Sequence, residues 1–366
     1  MKRRDFLKNS GIVAGVTAAS ALATPAIAQD RRELKLVTTW PKNFPGLGTA
    51  PELFAKMVNT ATEGRIDVKV YAAGELVPAF ESFDAVSSGA ADMYHGADYY
   101  WVGKHKAFAF FTAVPFGMTA NENDSWLNFG GGQELWDELA GGFNLKCLPC
   151  GNTGVQMGGW FKNPITSLDD LKGLKMRIPG LGGEVLRRLG VSTVTLPGGE
   201  IFAALQSGAI DATEWVGPWN DLAFGFHKIV KNYMWPGFHE PGPTLSLGFN
   251  KGVWESFSVA DQELLRACSL TVNHLNLAEF NARNNDALKT LIEDHGVKLH
   301  KMPDDVLNAI GEKSGEVAAE VAEIDDIGKR TYESFVKFRT QSIAWSKLSD
   351  QGFWNARLLP FNYGSI

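Results

Sequence analysis

Apolar and polar positions alternate along Leu34-Lys35-Leu36-Val37-Thr38-Thr39 and again along Ile66-Asp67-Val68-Lys69-Val70-Tyr71. A period of two places successive side chains on opposite faces, so both stretches predict strands. Between them, residues 50–62 carry their apolar positions at helical spacing, and Gly64 follows as a stop. Residues 80–88 predict a helix and 91–94 a strand. Strands separated by helices imply right-handed parallel crossovers and an α/β sheet. The middle of the chain repeats that grammar. Residues 145–150, 156–161, 175–178, 192–196 and 244–250 read as strands, and 183–189 and 200–207 as helices. The expected organisation is α/β and two-lobed: 29–150 with 244–303 as lobe I, and 151–243 inserted as lobe II.

From Val259 the pattern changes. Leu264, Cys268, Val272 and Leu275 follow helical spacing up to Gly296. After Pro303, Val317, Val321, Ile324, Phe335 and Phe338 form one stripe that reaches Lys347. The segment 304–366 therefore predicts a long C-terminal helix of about 40 residues and a tail, beyond the usual 8–20. So long a helix needs a surface. It braces both lobes, or it crosses to a second copy of the chain. Two helices broken near Gly311 or Gly328 are the other reading.

The chain has 366 residues, a length that suits about two domains. Hydrophobic residues make up 45%, net charge is -6, pI is about 5.7 and mean hydropathy is -0.11. There is no basic stripe, which argues against nucleic acid as partner. Residues 1–28 read as an export address. They hold Arg3-Arg4 followed by Phe6-Leu7-Lys8, a modest apolar stretch, and Ala26-Ile27-Ala28 as a small-residue cleavage site. That fits a twin-arginine signal. Removing it takes away Lys2, Arg3, Arg4 and Lys8 against Asp5 and leaves a charge of -9 on 338 residues. Beyond it no run of 18 apolar residues appears, so the mature chain is expected in the periplasm rather than across a membrane.

Cys147-Leu148-Pro149-Cys150 has C-x-x-C spacing, but it ends an alternating strand. Extended chain puts the two Cα atoms about 10 Å apart, past the ~7 Å reach of a disulfide. With Cys268 alone elsewhere, these read as core cysteines. Gly180-Leu181-Gly182-Gly183 lies between a strand and a helix, where a dinucleotide fingerprint would sit. Its third glycine is replaced by Val185. It is a tight turn, or the basis of an exported nicotinamide-dependent oxidoreductase. No H-E-x-x-H or G-x-S-x-G is present. Arg177 interrupts an apolar strand directly before Pro179. A planar guanidinium there suits a carboxylate, unless the strand is an edge and the arginine faces solvent. Glu214 sits among Trp215, Pro218 and Trp219. It is either an exposed loop residue or a carboxylate that needs a partner or a metal.

At these residues a family resemblance appears. The run Leu168-Asp169-Asp170-Leu171-Lys172-Gly173-Leu174-Lys175-Met176-Arg177-Ile178-Pro179 resembles the central motif of the solute-binding proteins of tripartite ATP-independent periplasmic (TRAP) transporters. Residues 196–212, beginning Leu196-Pro197-Gly198-Gly199-Glu200, resemble the second motif of that family. Glu214-Trp215, Gln156 and the C-terminal helix are similar to its branch that binds 2-oxo acids such as pyruvate. The resemblance implies a two-lobed, non-enzymatic binding protein that closes over a small carboxylate and delivers it to a membrane permease. It puts Arg177 on the ligand carboxylate, with Gln156, Tyr100 and Asn220 as further substrate-binding residues. It implies a bound sodium ion, with calcium as the alternative, held by Gln156, Glu214, the Trp215 carbonyl and Glu240. It also implies a homodimer swapped through the C-terminal helix.

Overall fold

The structure is a computed structural model that describes residues 31–364. The export segment 1–28 lies outside the described residues. Eleven strands are present among them: β1 (Arg32–Thr38), β2 (Ile66–Tyr71), β3 (Met93–Gly96), β4 (Leu145–Asn152), β5 (Gly159–Phe161), β6 (Lys175–Arg177), β7 (Ser192–Val194), β8 (Ala212–Thr213), β9 (Asn232–Trp235), β10 (Thr244–Asn250) and β11 (Lys298–Lys301). They form two sheets, ordered β2-β1-β3-β10-β4 and β11-β9-β5-β8-β6-β7.

Both sheets are mixed, not purely parallel. β10 runs antiparallel to β3 and β4, and β5 runs antiparallel to β8 and β9. Connectivity is the reason. The chain leaves the first lobe through β4 and enters the second through β5, then returns through β9 and β10. Each lobe therefore holds one outgoing and one returning strand side by side. β10 is buried at all seven positions, because both its edges are paired and both its faces are covered. Gly248 is needed there, since a Cβ would lie 2.0 Å from the ring of Tyr94.

The segment 244–303, expected wholly in lobe I, is divided. β10 pairs in the first sheet, whereas β11 pairs with β9 at the edge of the second. The strand Lys298–Lys301 is short and mostly exposed, so it lacks the apolar pattern that marks a strand.

The long bracing helix is Val259–Glu293, of 35 residues, capped by the Ser258 hydroxyl accepting from the Asp261 N–H at 3.1 Å. Its amides hold both lobes. Asn273 and Asn276 accept from the Gly151 and Asn152 N–H groups, each at 3.1 Å. Asn284 accepts from the Trp219 N–H at 3.1 Å in the second lobe.

The C-terminal stretch is helical but not continuous. Helices Asp304–Ala319 and Asp326–Ser346 are separated by a short 3-10 turn, Glu320–Glu323. Asp325 restarts the helix by accepting from the Gly328 N–H at 2.9 Å. A Cβ on Gly328 would meet the Val321 carbonyl at 2.4 Å, so the break falls where a glycine is required. Most of the apolar stripe expected to dock on a second copy is spent within its own chain, although Ile324 stays exposed. Val317, Val321 and Phe335 are buried, and Phe335 packs edge-on against Phe110 with ring centres 4.9 Å apart. Further exposed apolar residues follow towards the C-terminus, at Ile343, Trp345, Leu348 and Phe353.

The three cysteines are free and buried, and desolvation raises each thiol pKa, that of Cys150 to about 12. They are core residues.

Candidate functional site

Sheet register brings the first two site residues together. Arg177 ends β6 opposite Thr213 of β8, so Glu214 is the next residue beside it. The Glu214 N–H donates to the Arg177 carbonyl at 3.2 Å. Arg177 is 1% exposed and Glu214 is fully buried. The guanidinium donates through Nε to the Leu196 carbonyl at 3.1 Å and through Nη1 to the Glu214 carboxylate. Its face lies 5.2 Å from the Trp215 ring, a cation–π contact. Its Nη2 is buried without a partner. Burial is the largest single influence and works against the arginine's charge, but the Glu214 carboxylate together with Tyr100 and Tyr99 outweighs it and the pKa rises.

The second half of the cluster comes from the two crossovers between the lobes. Gln156, on the outgoing one, donates its backbone N–H to the Glu240 carbonyl on the returning one at 3.2 Å. The Glu240 carboxylate accepts from Gln156 Nε2 at 2.7 Å and from the Tyr99 hydroxyl at 3.3 Å. Burial first, and then repulsion from Glu214, push its pKa well above the usual carboxylate range. His239 Nε2 lies 3.3 Å from Glu214 Oε2, without hydrogen-bond geometry. One ligand atom each from Glu214, His239 and Glu240 falls within 4.8 Å of the others.

Several of these polar atoms are buried and unsatisfied: Arg177 Nη2, Glu214 Oε2, Gln156 Oε1 and both ring nitrogens of His239. Each such group costs about 1–3 kcal/mol, and more when charged. Their convergence on one spot points to a bound guest. The donor at Arg177 suits an anion, and the acceptors at Glu214 and Gln156 suit a cation with oxygen ligands. The adjoining cavity is lined by Trp40, Tyr99, Tyr100, Gln156, Trp215 and Glu240. Its volume is about 10 Å³, roughly the room one water needs. A guest therefore enters with the lobes further apart.

The walls are held from behind. The Trp40 indole N–H donates to His95 Nδ1 at 2.8 Å, and His95 Nε2 lies 3.0 Å from the Cys150 carbonyl. That arrangement requires the neutral imidazole, and burial lowers the His95 pKa to about 4. Asp221 accepts from the Val216 N–H at 3.2 Å, and from Trp160 Nε1 and the Tyr233 hydroxyl at 2.9 and 2.6 Å. It fixes the backbone beside Trp215.

Of the expected site residues, Arg177, Glu214, Trp215, Gln156, Glu240 and Tyr100 cluster as described. Asn220 does not border the small cavity, and neither do Arg177 and Glu214; its Oδ1 is buried without a partner, as are Arg177 Nη2 and Glu214 Oε2. It lies in the helix Pro218–Phe224 and donates to the Pro45 carbonyl of the first lobe at 2.9 Å. Sequence reasoning missed His239 and Tyr99. The run His239-Glu240-Pro241 carried the signal for the first. Tyr99 and Tyr100 share the short 3-10 turn Asp98–Trp101, where neighbouring side chains point about 120° apart and no alternation marks them.

The glycines at 180–183 are closed off by protein. Gly180 has φ +61°, and a Cβ there would sit 3.0 Å from Tyr99 Cβ. One on Gly182 would sit 3.0 Å from His239 Cβ. The turn lets the helix Gly180–Arg188 pack closely against Tyr99 and His239 of the site.

A family model described as bacterial extracellular solute-binding protein, family 7 (DctP) matches residues 36–324. The chain is 40% identical over 360 residues to a monocarboxylate 2-oxoacid-binding periplasmic protein of Nostoc sp., covering 97% of this chain and 98% of that one. A TRAP periplasmic solute-binding protein from Pseudoalteromonas atlantica, solved with bound sodium and pyruvate, aligns with TM-score 0.86 and 40% identity. The match covers 91% of this chain and 100% of that one. A TRAP solute-binding protein from Bordetella bronchiseptica, a dimer with calcium and picolinate in one site, aligns with TM-score 0.87 and 34% identity over 89% and 97% of the two chains. The two-lobed fold, the buried arginine–glutamate cluster at its crossovers and these matches together make the chain a member of the DctP family of TRAP-transporter solute-binding proteins.

Proposed function

We propose that the chain is a periplasmic receptor that binds a small 2-oxo monocarboxylate such as pyruvate, together with a sodium or calcium ion, and presents it to a membrane permease. The family is one of binding proteins, not enzymes. The observation that carries the reading is the unpartnered Nη2 of buried Arg177 beside the unpartnered oxygens of Glu214 and Gln156. In this reading Arg177 takes the ligand carboxylate, and Tyr100 and Gln156 complete the anion's surroundings. Glu214, Gln156, Glu240 and the Trp215 carbonyl hold the cation, with His239 beside them. The cation supplies positive charge between the protein carboxylates and the ligand. Asn220 latches the lobes through its Nδ2 contact with Pro45, and its unpartnered Oδ1 remains available as a wall of the site. The close packing around Gly180 and Gly182 weighs against the nicotinamide reading.

The test is thermal unfolding of the mature protein with a panel of small carboxylates, with sodium or calcium present. Pyruvate at 100 times its Kd should add about 2.7 kcal/mol of stability. No shift with any 2-oxo acid at millimolar concentration would sink the reading.

The protein is also proposed to form a homodimer through its C-terminal residues. The support is the exposed apolar run of Trp345, Leu348, Phe353, Trp354, Leu358 and Phe361, together with the dimer formed by the Bordetella relative. Light scattering at micromolar concentration should give twice the chain mass. Trp345→Glu with Leu348→Glu should give the monomer, while ligand binding persists. A monomer for the unaltered protein would contradict the assembly.

A further inference from the structure

Two spaces lie on either side of one aromatic wall. The inner one is the cavity of about 10 Å³ beside Arg177. The outer one, of about 440 Å³, is lined by Thr39, Pro41, Pro78, Phe80, Pro197 and Gly199. Their linings interleave along the chain. Trp40 faces the inner space, and its neighbours Thr39 and Pro41 face the outer one. Leu196 holds Arg177 through its carbonyl, and Pro197 faces outward. The partition itself is Tyr100, on the inner side, packed against Phe80, on the outer side, with ring centres 4.7 Å apart.

We infer that Phe80 sets the length of side chain the site accepts, excluding 2-oxo acids longer than the smallest ones from the outer space; this rests on reading the inner cavity as a 2-oxo acid site. An acid anchored at Arg177 by its carboxylate has to direct a long tail past Tyr100. Phe80 blocks that path. Tyr100 is the wrong residue to vary, because its hydroxyl lies beside the Arg177 guanidinium and belongs to the anion site. The Phe80 ring packs on Tyr100 and lines the outer space. Its backbone is fixed independently of the ring, by Trp101 Nε1 donating to the Phe80 carbonyl at 2.8 Å. The ring is partly exposed, so truncating it opens a passage with little disturbance.

Calorimetric titration of the mature protein with pyruvate and with 2-oxohexanoate, at saturating sodium, tests this. The unaltered protein should prefer pyruvate by about tenfold or more. Phe80→Ala should keep pyruvate affinity within about threefold and bind 2-oxohexanoate at least tenfold more tightly than the unaltered protein does. Each newly buried methylene is worth about fourfold, and this acid has three more than pyruvate. Phe80→Leu should gain less, and it carries the test if the alanine variant fails to fold. Equal affinity of the unaltered protein for the two acids, or an unchanged preference in both variants, overturns the inference. So does a variant that loses pyruvate. If the unaltered protein binds neither acid, the 2-oxo acid reading itself has failed.

Discussion

Arg177→Ala should bind no 2-oxo monocarboxylate measurably in calorimetric titration, whichever cation is present. In the structure Arg177 is the buried cation of the cluster, and its Nη2 is a charged donor left free for an anion. Removing one partner of a buried ion pair costs about 3–5 kcal/mol, or roughly 10²–10⁴ in affinity. The same substitution also strands Glu214 beside Glu240 with no compensating charge, so the thermal midpoint should fall as well. A second variant separates the two effects. Arg177→Met with Glu214→Gln removes both charges at similar volume, and stability should return toward that of the unaltered protein because a buried ion pair adds little over well-packed neutral groups. Binding should not return, because the anion's partner is gone. Arg177→Lys should recover little binding, since an ammonium cannot offer the fork that reaches Leu196, Glu214 and the ligand at once. Near-normal pyruvate affinity in the alanine variant would remove Arg177 from the site.

How much of this was legible in the sequence depended on whether a residue's role follows from its near neighbours. Strands that alternate, such as β1 and β2, announced themselves, and so did the helix Thr49–Ala61 between them. Arg177 and Glu214 stood out because each puts a charge where the surrounding pattern is apolar, and register then made them partners. β11 gave no such signal, since an exposed edge strand has no buried face to specify its pattern. The helix break before Gly328 was readable only as an alternative, because the stripe of Val317, Val321 and Phe335 continues across it. Two short helices can bury one continuous stripe against the same surface. The orientation of both sheets was missed for a different reason. Local patterns fix strands, but the antiparallel placement of β5 and β10 follows from the chain's passage between lobes. His239 illustrates the limit for the site. A histidine beside a glutamate is unremarkable until the fold places its ring against the carboxylate of Glu214, 25 residues earlier and just past the end of β8.

Removing sodium and calcium should weaken pyruvate binding at least tenfold, and restoring either should recover it. The argument is one of charge. Arg177 offsets Glu214, so when Glu240 is ionised the buried cluster already carries one negative charge, and the ligand carboxylate brings a second. In a site with room for about one water, little solvent is left to screen them. The raised pKa of Glu240 reports the same strain, since burial and the neighbouring Glu214 both disfavour its ionised form. A cation held by Glu214, Gln156 and Glu240 relieves that repulsion and satisfies Glu214 Oε2 and Gln156 Oε1, which otherwise have no partner. Calcium, with twice the charge, should bind more tightly than sodium. Linkage makes the effect reciprocal, so pyruvate must raise the affinity for the cation by the same factor that the cation raises affinity for pyruvate. Tryptophan fluorescence can follow both titrations, because Trp40 and Trp215 line the cavity. Glu214→Gln should blunt the sodium dependence whatever it does to absolute affinity, since it removes charge from both the ion pair and the cation shell. Equal pyruvate affinity with and without added cation would rule out the bridging ion.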